Sequence, residues 1–162
     1  MKIGLISDTH DQLDRTRRAV ETLVNNGVER LIHCGDFVSP EILIACCAVP
    51  LDFVFGNNDW RVEHELREAT ASHRARCLEY GANITLADRS IAVTHGHLHT
   101  ESRSLMADEP HYLITGHSHV AMDRMRESTR WINPGALHRA SEYSVAILDL
   151  AEDRLEFITI AR

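Results

Sequence analysis

A chain of 162 residues, 44% apolar and 25% charged, has room for one globular core and little more. Its formal net charge of −7, with no dense Lys/Arg run, argues against a duplex nucleic-acid binder, whose affinity rests on neutralising phosphates. No apolar run approaches the roughly 20 residues of a membrane span, and Asp8 and Asp11 cut short the apolar opening before any small-residue cleavage site, so a cytoplasmic protein is expected.

In chain order, Ile3-Gly4-Leu5-Ile6-Ser7 has strand length and runs into Asp8-Thr9-His10. Leu13, Thr16, Val20, Leu23 and Val24 then share one face of a 3.6-residue period, and Asn25-Asn26-Gly27 stops that helix. Arg30-Leu31-Ile32-His33-Cys34 runs into Gly35-Asp36. Ser39-Pro40 opens a helix, as cap and first-turn residue, that continues through Ile42, Leu43 and Ile44 to Ala48. Leu51-Asp52-Phe53-Val54-Phe55 runs into Gly56-Asn57-Asn58-Asp59. Strands alternating with helices imply right-handed crossovers and a parallel sheet. The polar stretch 61–76, with Val62, Leu66 and Ala69 at helical spacing, reads as a helix or ordered loop. Residues 84–86 and 91–93 flank a turn at 87–90 and form a hairpin, whose second strand continues into His95-Gly96-His97. Residues 100–107 form a short helix, and 111–115 a strand running into Gly116-His117-Ser118-His119. Beyond it, 120–126, 129–132, 144–150 and 154–160 read as strands with turns at Glu127-Ser128 and Glu152-Asp153, so this half is expected to be antiparallel. The predicted fold is α/β: a two-sheet β-sandwich of mixed parallel and antiparallel strands flanked by helices, in a single domain over residues 1–162. Cys34, Cys46, Cys47 and Cys77 form no C-x-x-C pair and are expected as buried free thiols.

Five apolar runs thus end in clusters of Gly, Asp, His or Asn. Sites on parallel sheets form at the carboxyl ends of strands, so these loops are expected to converge. Asp8 and His10 are two apart, as are His117 and His119, and in extended backbone such pairs point to one side. Imidazole and carboxylate together suit Mn, Fe, Ni or Zn. Asp8, His10, Asp36, Asn57, His95, His117 and His119 exceed what one ion needs, and fit two divalent ions about 3.5–4 Å apart with a carboxylate between. Asp36 is the natural bridge, because each of its two oxygens can face one ion. Two divalent ions less Asp8, Asp36 and a bridging hydroxide leave a positive surplus that holds an anionic phosphate.

The motifs D-x-H, G-D, G-N-x-D, H-G-H and G-H-x-H, in that order over residues 8–119, resemble the calcineurin-like metallophosphoesterases. The size and the Asn133-Pro134-Gly135 turn resemble its small single-domain branch of bacterial and archaeal phosphodiesterases. The resemblance implies a four-layer α/β/β/α arrangement. It implies a first metal on Asp8, His10, Asp36 and His119, and a second on Asp36, Asn57, His95 and His117. One position departs from the pattern: many members carry His after the motif Asn, where this chain has Asn58. Asn58 can donate a hydrogen bond to phosphate but cannot supply a proton near neutral pH, which leaves His97 or water for that task. The small branch often lacks that His too.

The expected reaction is hydrolysis of a phosphate diester by metal-bound hydroxide, in line with the departing alkoxide. Asn58 and His97 are candidates for phosphate contact or proton transfer, and Asp59 for orienting a neighbour; His97 and Asp59 have a structural place as the alternative. A phosphomonoesterase acting on nucleotides or sugar phosphates is the rival enzyme. A non-catalytic scaffold is the rival of another class, because a subunit of the retromer sorting complex shares the resemblance; the complete ligand set argues against it. The expected partner is a small phosphate ester, with no duplex nucleic acid and no membrane. His33, His64, His73, His111 and His138 read as structural or solvated, and Arg61, Arg67, Arg74 and Arg76 as a solvated helix face.

Overall fold

The computed structural model describes residues 1–162. The elements run Lys2–Ile6 (β1), Leu13–Asn25 (α1), Arg30–His33 (β2), Pro40–Cys46 (α2), Leu51–Phe53 (β3), Glu63–Thr70 (α3), Ala75–Cys77 (β4) and Gly81–Leu86 (β5). They continue as Arg89–Thr94 (β6), His99–Met106 (α4), Tyr112–Ile114 (β7), Met122–Arg126 (β8), Thr129–Asn133 (β9), Ser144–Asp149 (β10) and Arg154–Thr159 (β11). One sheet has the order β11-β10-β1-β2-β3-β4 and the other β5-β6-β7-β9-β8. No helix is long and apolar enough to cross a membrane.

Strand alternation sets the layers. Ile3 and Leu5 of β1, Ile32 of β2 and Leu148 of β10 meet Ile91 and Val93 of β6 and Ile114 of β7 between the sheets. The opposite faces present Ile6, Leu31 and Ile147, which pack under Val20 and Leu23 of α1 and Leu43 of α2. Because β1, β2 and β10 are covered on both sides, their sequences are apolar runs rather than alternations. Outside the five-stranded sheet only α4 packs, with Leu105 on Ala92 and Leu113. The helix α1 ends in a Schellman turn: Gly27, at φ +81°, donates to the Val24 carbonyl, and Val28 donates to that of Leu23.

Five expectations are corrected. The stretch 61–76 contains both α3 and a further parallel strand, β4, which pairs with β3. Its three residues are too short an apolar run to stand out in the sequence; Ala75 and Cys77 pack against the core, and Arg76 between them binds the buried Asp52 carboxylate of β3 at 2.7 Å. The half after His119 is antiparallel in its β8–β9, β10–β11 and β10–β1 pairs, but β9 also pairs in parallel with β7, which the expectation of an antiparallel half missed. The hairpin turn is confined to Ala87 and Asp88, both at positive φ (46° and 62°), the geometry of a two-residue turn that matches strand twist. Ser39 makes no side-chain cap; its hydroxyl donates to Asp11 instead, at 2.7 Å. Cys34 and Cys46 are buried free thiols, whereas Cys47 and Cys77 are half-buried.

Candidate metal centre

Every candidate ligand sits just past a strand: Asp8 and His10 after β1, Asp36 after β2, Asn57 after β3, His95 after β6, His117 and His119 after β7. The loops are not extended, which corrects the argument that i and i+2 residues point together for that reason. Asp8, His10, Asp36, His117 and His119 have φ of 52°, 41°, 63°, 67° and 58°. Left-handed backbone costs about 1–3 kcal/mol per non-glycine residue, least for Asp, Asn and His. It persists because the loops are bonded to one another. Asp8 and His10 donate to the carbonyls of Gly35 and Asp36, both at 3.0 Å. Gly116 donates to the His95 carbonyl at 3.0 Å. The loops also touch so closely that a Cβ at Gly56 would strike the Asp36 carboxylate, and one at Gly116 the Ser7 hydroxyl.

The ligand atoms close around two carboxylates. Asp8 Oδ2 accepts bonds from Ser7 Oγ at 2.6 Å and from the His117 amide at 3.0 Å. Asp8 Oδ1 faces His119 Nε2 at 3.1 Å and His95 Nε2 at 4.0 Å. His10 Nε2 and His95 Nε2 stand 3.3 and 3.5 Å from a single oxygen, Asp36 Oδ2. Asn57 Oδ1 lies 3.1 Å from His95 Nε2, and the His117 ring is edge-on to that of His95 with centroids 5.1 Å apart.

These contacts test whether cations fit. Asp8 Oδ1 and His10 Nε2 are buried and make no hydrogen bond despite the nearby groups. Nitrogen and oxygen lone pairs gathered without hydrogen-bond alignment suit divalent ions. His95 Nδ1 lies 2.6 Å from the Cys34 carbonyl and must donate to it, which turns the Nε2 lone pair toward the carboxylates. Asp8, His10 and His119 hold their ligand atoms within 4.8 Å of one another, as do Asp8, Asp36 and His95. Above them opens a cleft of about 400 Å³, lined by His10, Asp36, Asn57, Asn58, His117 and His119.

The electrostatics follow from the crowding. Burial pushes the Asp36 carboxyl up, but His10 and His95 more than reverse this and hold it well below the usual carboxylate range. Burial acts likewise on Asp8 and is outweighed by His119, His95 and Ser7. The bond to Asp8 raises the His119 pKa; burial opposes a rise at His95, and Asp36 and Asp8 prevail. Protons and divalent ions compete for the same imidazole nitrogens, so metal uptake strengthens as pH rises.

Other predicted residues lie around this centre. Asn58 clasps Asp36, its backbone N–H reaching Oδ1 at 2.9 Å and its side-chain Nδ2 reaching Oδ2 at 2.7 Å. Asp59 is buried beneath the cleft and accepts three backbone N–H bonds, from Asp36 and Gly56 at 2.8 Å and Val38 at 2.9 Å. It positions two loops and does not touch the cleft. His97 does not line the cleft either; its ring centroid is 5.3 Å from that of His95. His138, read as structural or solvated, does line it, and so does Arg139, which the sequence does not single out. His138 stands 4.8 Å from His10, ring to ring, beside Arg139. Their only sequence signal is the preceding Asn133-Pro134-Gly135 turn. Asn133 Nδ2 donates to the Gly116 carbonyl at 2.7 Å and so ties this turn to the His117 loop.

His33 supports the loops from below. Gly35 N–H donates to Nδ1 at 3.1 Å, which leaves the proton on Nε2 for Thr9 Oγ1, also at 3.1 Å; Thr9 in turn donates to the Asp36 carbonyl. Burial pushes the His33 pKa down to about 3. Its stabilising contribution is full above the unfolded value near 6.5 and is lost as pH falls toward 3, at up to about 1.4 kcal/mol per pH unit. Between pH 7 and pH 5, wild type is expected to lose up to about 2 kcal/mol more stability than His33→Phe in urea unfolding. Parallel pH dependence in the two would remove His33 from this account.

Comparison with known proteins bears on the same residues. A protein of Methanocaldococcus jannaschii named as a phosphodiesterase is 30% identical over 142 residues, covering 83% of each chain. The solved structure of an archaeal phosphodiesterase superposes with a TM-score of 0.83 at 28% identity, covering 98% of this chain and 99% of that one. Vps29 of Entamoeba histolytica, solved with Zn²⁺, reaches a TM-score of 0.60 at 16% identity over 98% and 99% of the two chains, a likeness of fold alone. The model of the calcineurin-like phosphoesterase superfamily domain matches residues 1–153 and so spans all five loops; the chain belongs to that superfamily, as a hydrolase of phosphoric esters.

Proposed function

We propose that this protein is a dinuclear metal-dependent phosphodiesterase. The observation that carries this reading is the approach of His10 and His95, one from each expected ligand set, to one oxygen of Asp36. Divalent ions held by Asp8, His10, Asp36 and His119, and by Asp36, Asn57, His95 and His117, would supply Lewis-acid charge to the phosphoryl oxygens and acidify water. Asn58 spends one amide hydrogen on Asp36 and keeps the other for a phosphoryl oxygen in the cleft. Arg139 and His138, at the cleft mouth, add a fixed cation and further donors. Asp8 and Asp36 are the only carboxylates among the seven ligands, which leaves a modest positive surplus suited to a monoanionic diester. The likeness to an archaeal phosphodiesterase supports the same preference.

The reading is checked by parallel assays of bis(4-nitrophenyl) phosphate and 4-nitrophenyl phosphate with added Mn²⁺, together with metal analysis. Faster turnover of the diester is expected, with two ions bound per chain. Monoester turnover faster by a wide margin would replace this reading with the phosphomonoesterase.

A further inference from the structure

The outer face of the five-stranded sheet is only partly covered, because α4 packs chiefly on β5 and β6, with Leu105 reaching Leu113 of β7. Beyond it a groove of about 510 Å³ runs between α4 and the edge strand β8, within the usual range of about 300–1,000 Å³ for small-ligand sites. Its floor is Leu113, Trp131 and Met122. The register explains the last two: Met122 lies opposite Asn133 and Arg126 opposite Thr129, so β8 and β9 present these residues and Trp131 to one face. One wall carries His99 and Arg103, and the other Arg126 with Glu127 beyond it. At one end the groove meets His117, which also lines the metal cleft.

Two features give this groove a ligand chemistry. The first is an aromatic surface held in place. Trp131 Nε1 donates to Thr115 Oγ1 at 2.8 Å, and the half-buried indole packs beside Leu105 and Leu113. The second is cationic charge that is held in no salt bridge. The arginines engaged in salt bridges are Arg17, Arg30, Arg67, Arg76, Arg130 and Arg154; Arg103 and Arg126 are not among them. Glu127 is the only acid lining the groove, so two guanidinium groups outweigh one carboxylate there, on a chain whose net charge is −7. The Arg126 guanidinium lies over the Trp131 ring, 5.8 Å from its centre, so the cation and the aromatic face are neighbours in the groove.

We propose that the groove is a second substrate subsite, which takes a nucleotide arm of the ester while the metal cleft takes the scissile phosphate. The base lies against Trp131, and a further phosphate of the same arm is held by Arg103 and Arg126. This assignment rests on the phosphodiesterase reading and narrows its substrate class to nucleotide esters.

Two measurements separate the claims. In the first, the Trp60→Phe chain, whose one remaining indole is Trp131, is titrated with thymidine 3′,5′-bisphosphate without added metal and followed by fluorescence. A saturable change is expected, weakened about tenfold or more by the exposed pair Arg103→Ala and Arg126→Ala, the size of one lost charge-assisted contact. An absent signal, or affinity indifferent to both substitutions, would overturn the subsite. In the second, the Mn²⁺-loaded chain is assayed with thymidine 3′-phosphate 5′-(4-nitrophenyl phosphate) and with methyl 4-nitrophenyl phosphate. The double variant is expected to raise KM about tenfold for the nucleotide ester and to leave the methyl ester within twofold. Equal losses on both esters would count against the groove. If wild type turned over neither ester, the phosphodiesterase reading would fall, and the fluorescence titration would still decide the groove.

Discussion

Asp36→Asn is expected to lower kcat/KM by about 10³-fold or more, because the ions it helps hold supply several kcal/mol of transition-state stabilisation and each 1.36 kcal/mol is a factor of ten. The substitution keeps size and shape, and fails on charge and on hydrogen bonding. Both Asp36 oxygens accept from Asn58, one from its backbone and one from its side chain. An amide offers a single acceptor, so one of those donors would face an NH₂ group. Oδ2 is also the atom that His10 and His95 approach, and losing its charge removes the attraction that gathers cations between them. The measurement is steady-state turnover of a chromogenic diester with metal content determined on the same sample. Normal turnover with two ions bound would refute the bridging role.

Asp59→Ala is expected to destabilise the fold by about 3–5 kcal/mol, although Asp59 touches neither cleft nor ligand side chain. Its carboxylate accepts the backbone N–H groups of Asp36, Gly56 and Val38, and truncation leaves all three without that acceptor. A buried unsatisfied donor costs about 1–3 kcal/mol, less where water can enter. Val38 makes the cost sharper, since a β-branched residue at φ 73° relies on its bond to Asp59 to stay there. Because one of those N–H groups belongs to Asp36 itself, Mn²⁺ affinity is expected to fall about 10–100-fold, as for other groups that orient metal ligands. Urea unfolding reads the first effect and a metal titration the second. A variant within about 1 kcal/mol of wild type, with unchanged Mn²⁺ affinity, would reduce Asp59 to a spectator.

The ligand loops were legible because their chemistry is local: Asp, His and Asn placed just beyond apolar strand-length runs. The parallel start of the first sheet was legible for the same reason, since strand and helix periodicities alternate through β3. The strand β4 was not, because its three residues are too short an apolar run to stand out, and Arg76 among them is held by a partner on β3. The pairing of β7 with β9 was not either, because nothing near Tyr112 or Arg130 records which distant strand will lie beside it.

The same division holds at the site. The sequence by itself determined the order of the motifs, the types of ligand and the family they belong to, since these depend on which residues follow which strand. Only the tertiary structure decided that the loops turn through left-handed backbone, that Asp59 serves the main chain, and that His138 and Arg139 reach the cleft. It also decided that Trp131, Arg103 and Arg126 share one groove. The physical reason is that hydrogen bonds between loops and the packing of non-adjacent strands are contacts between distant parts of the chain. No window of sequence contains both partners.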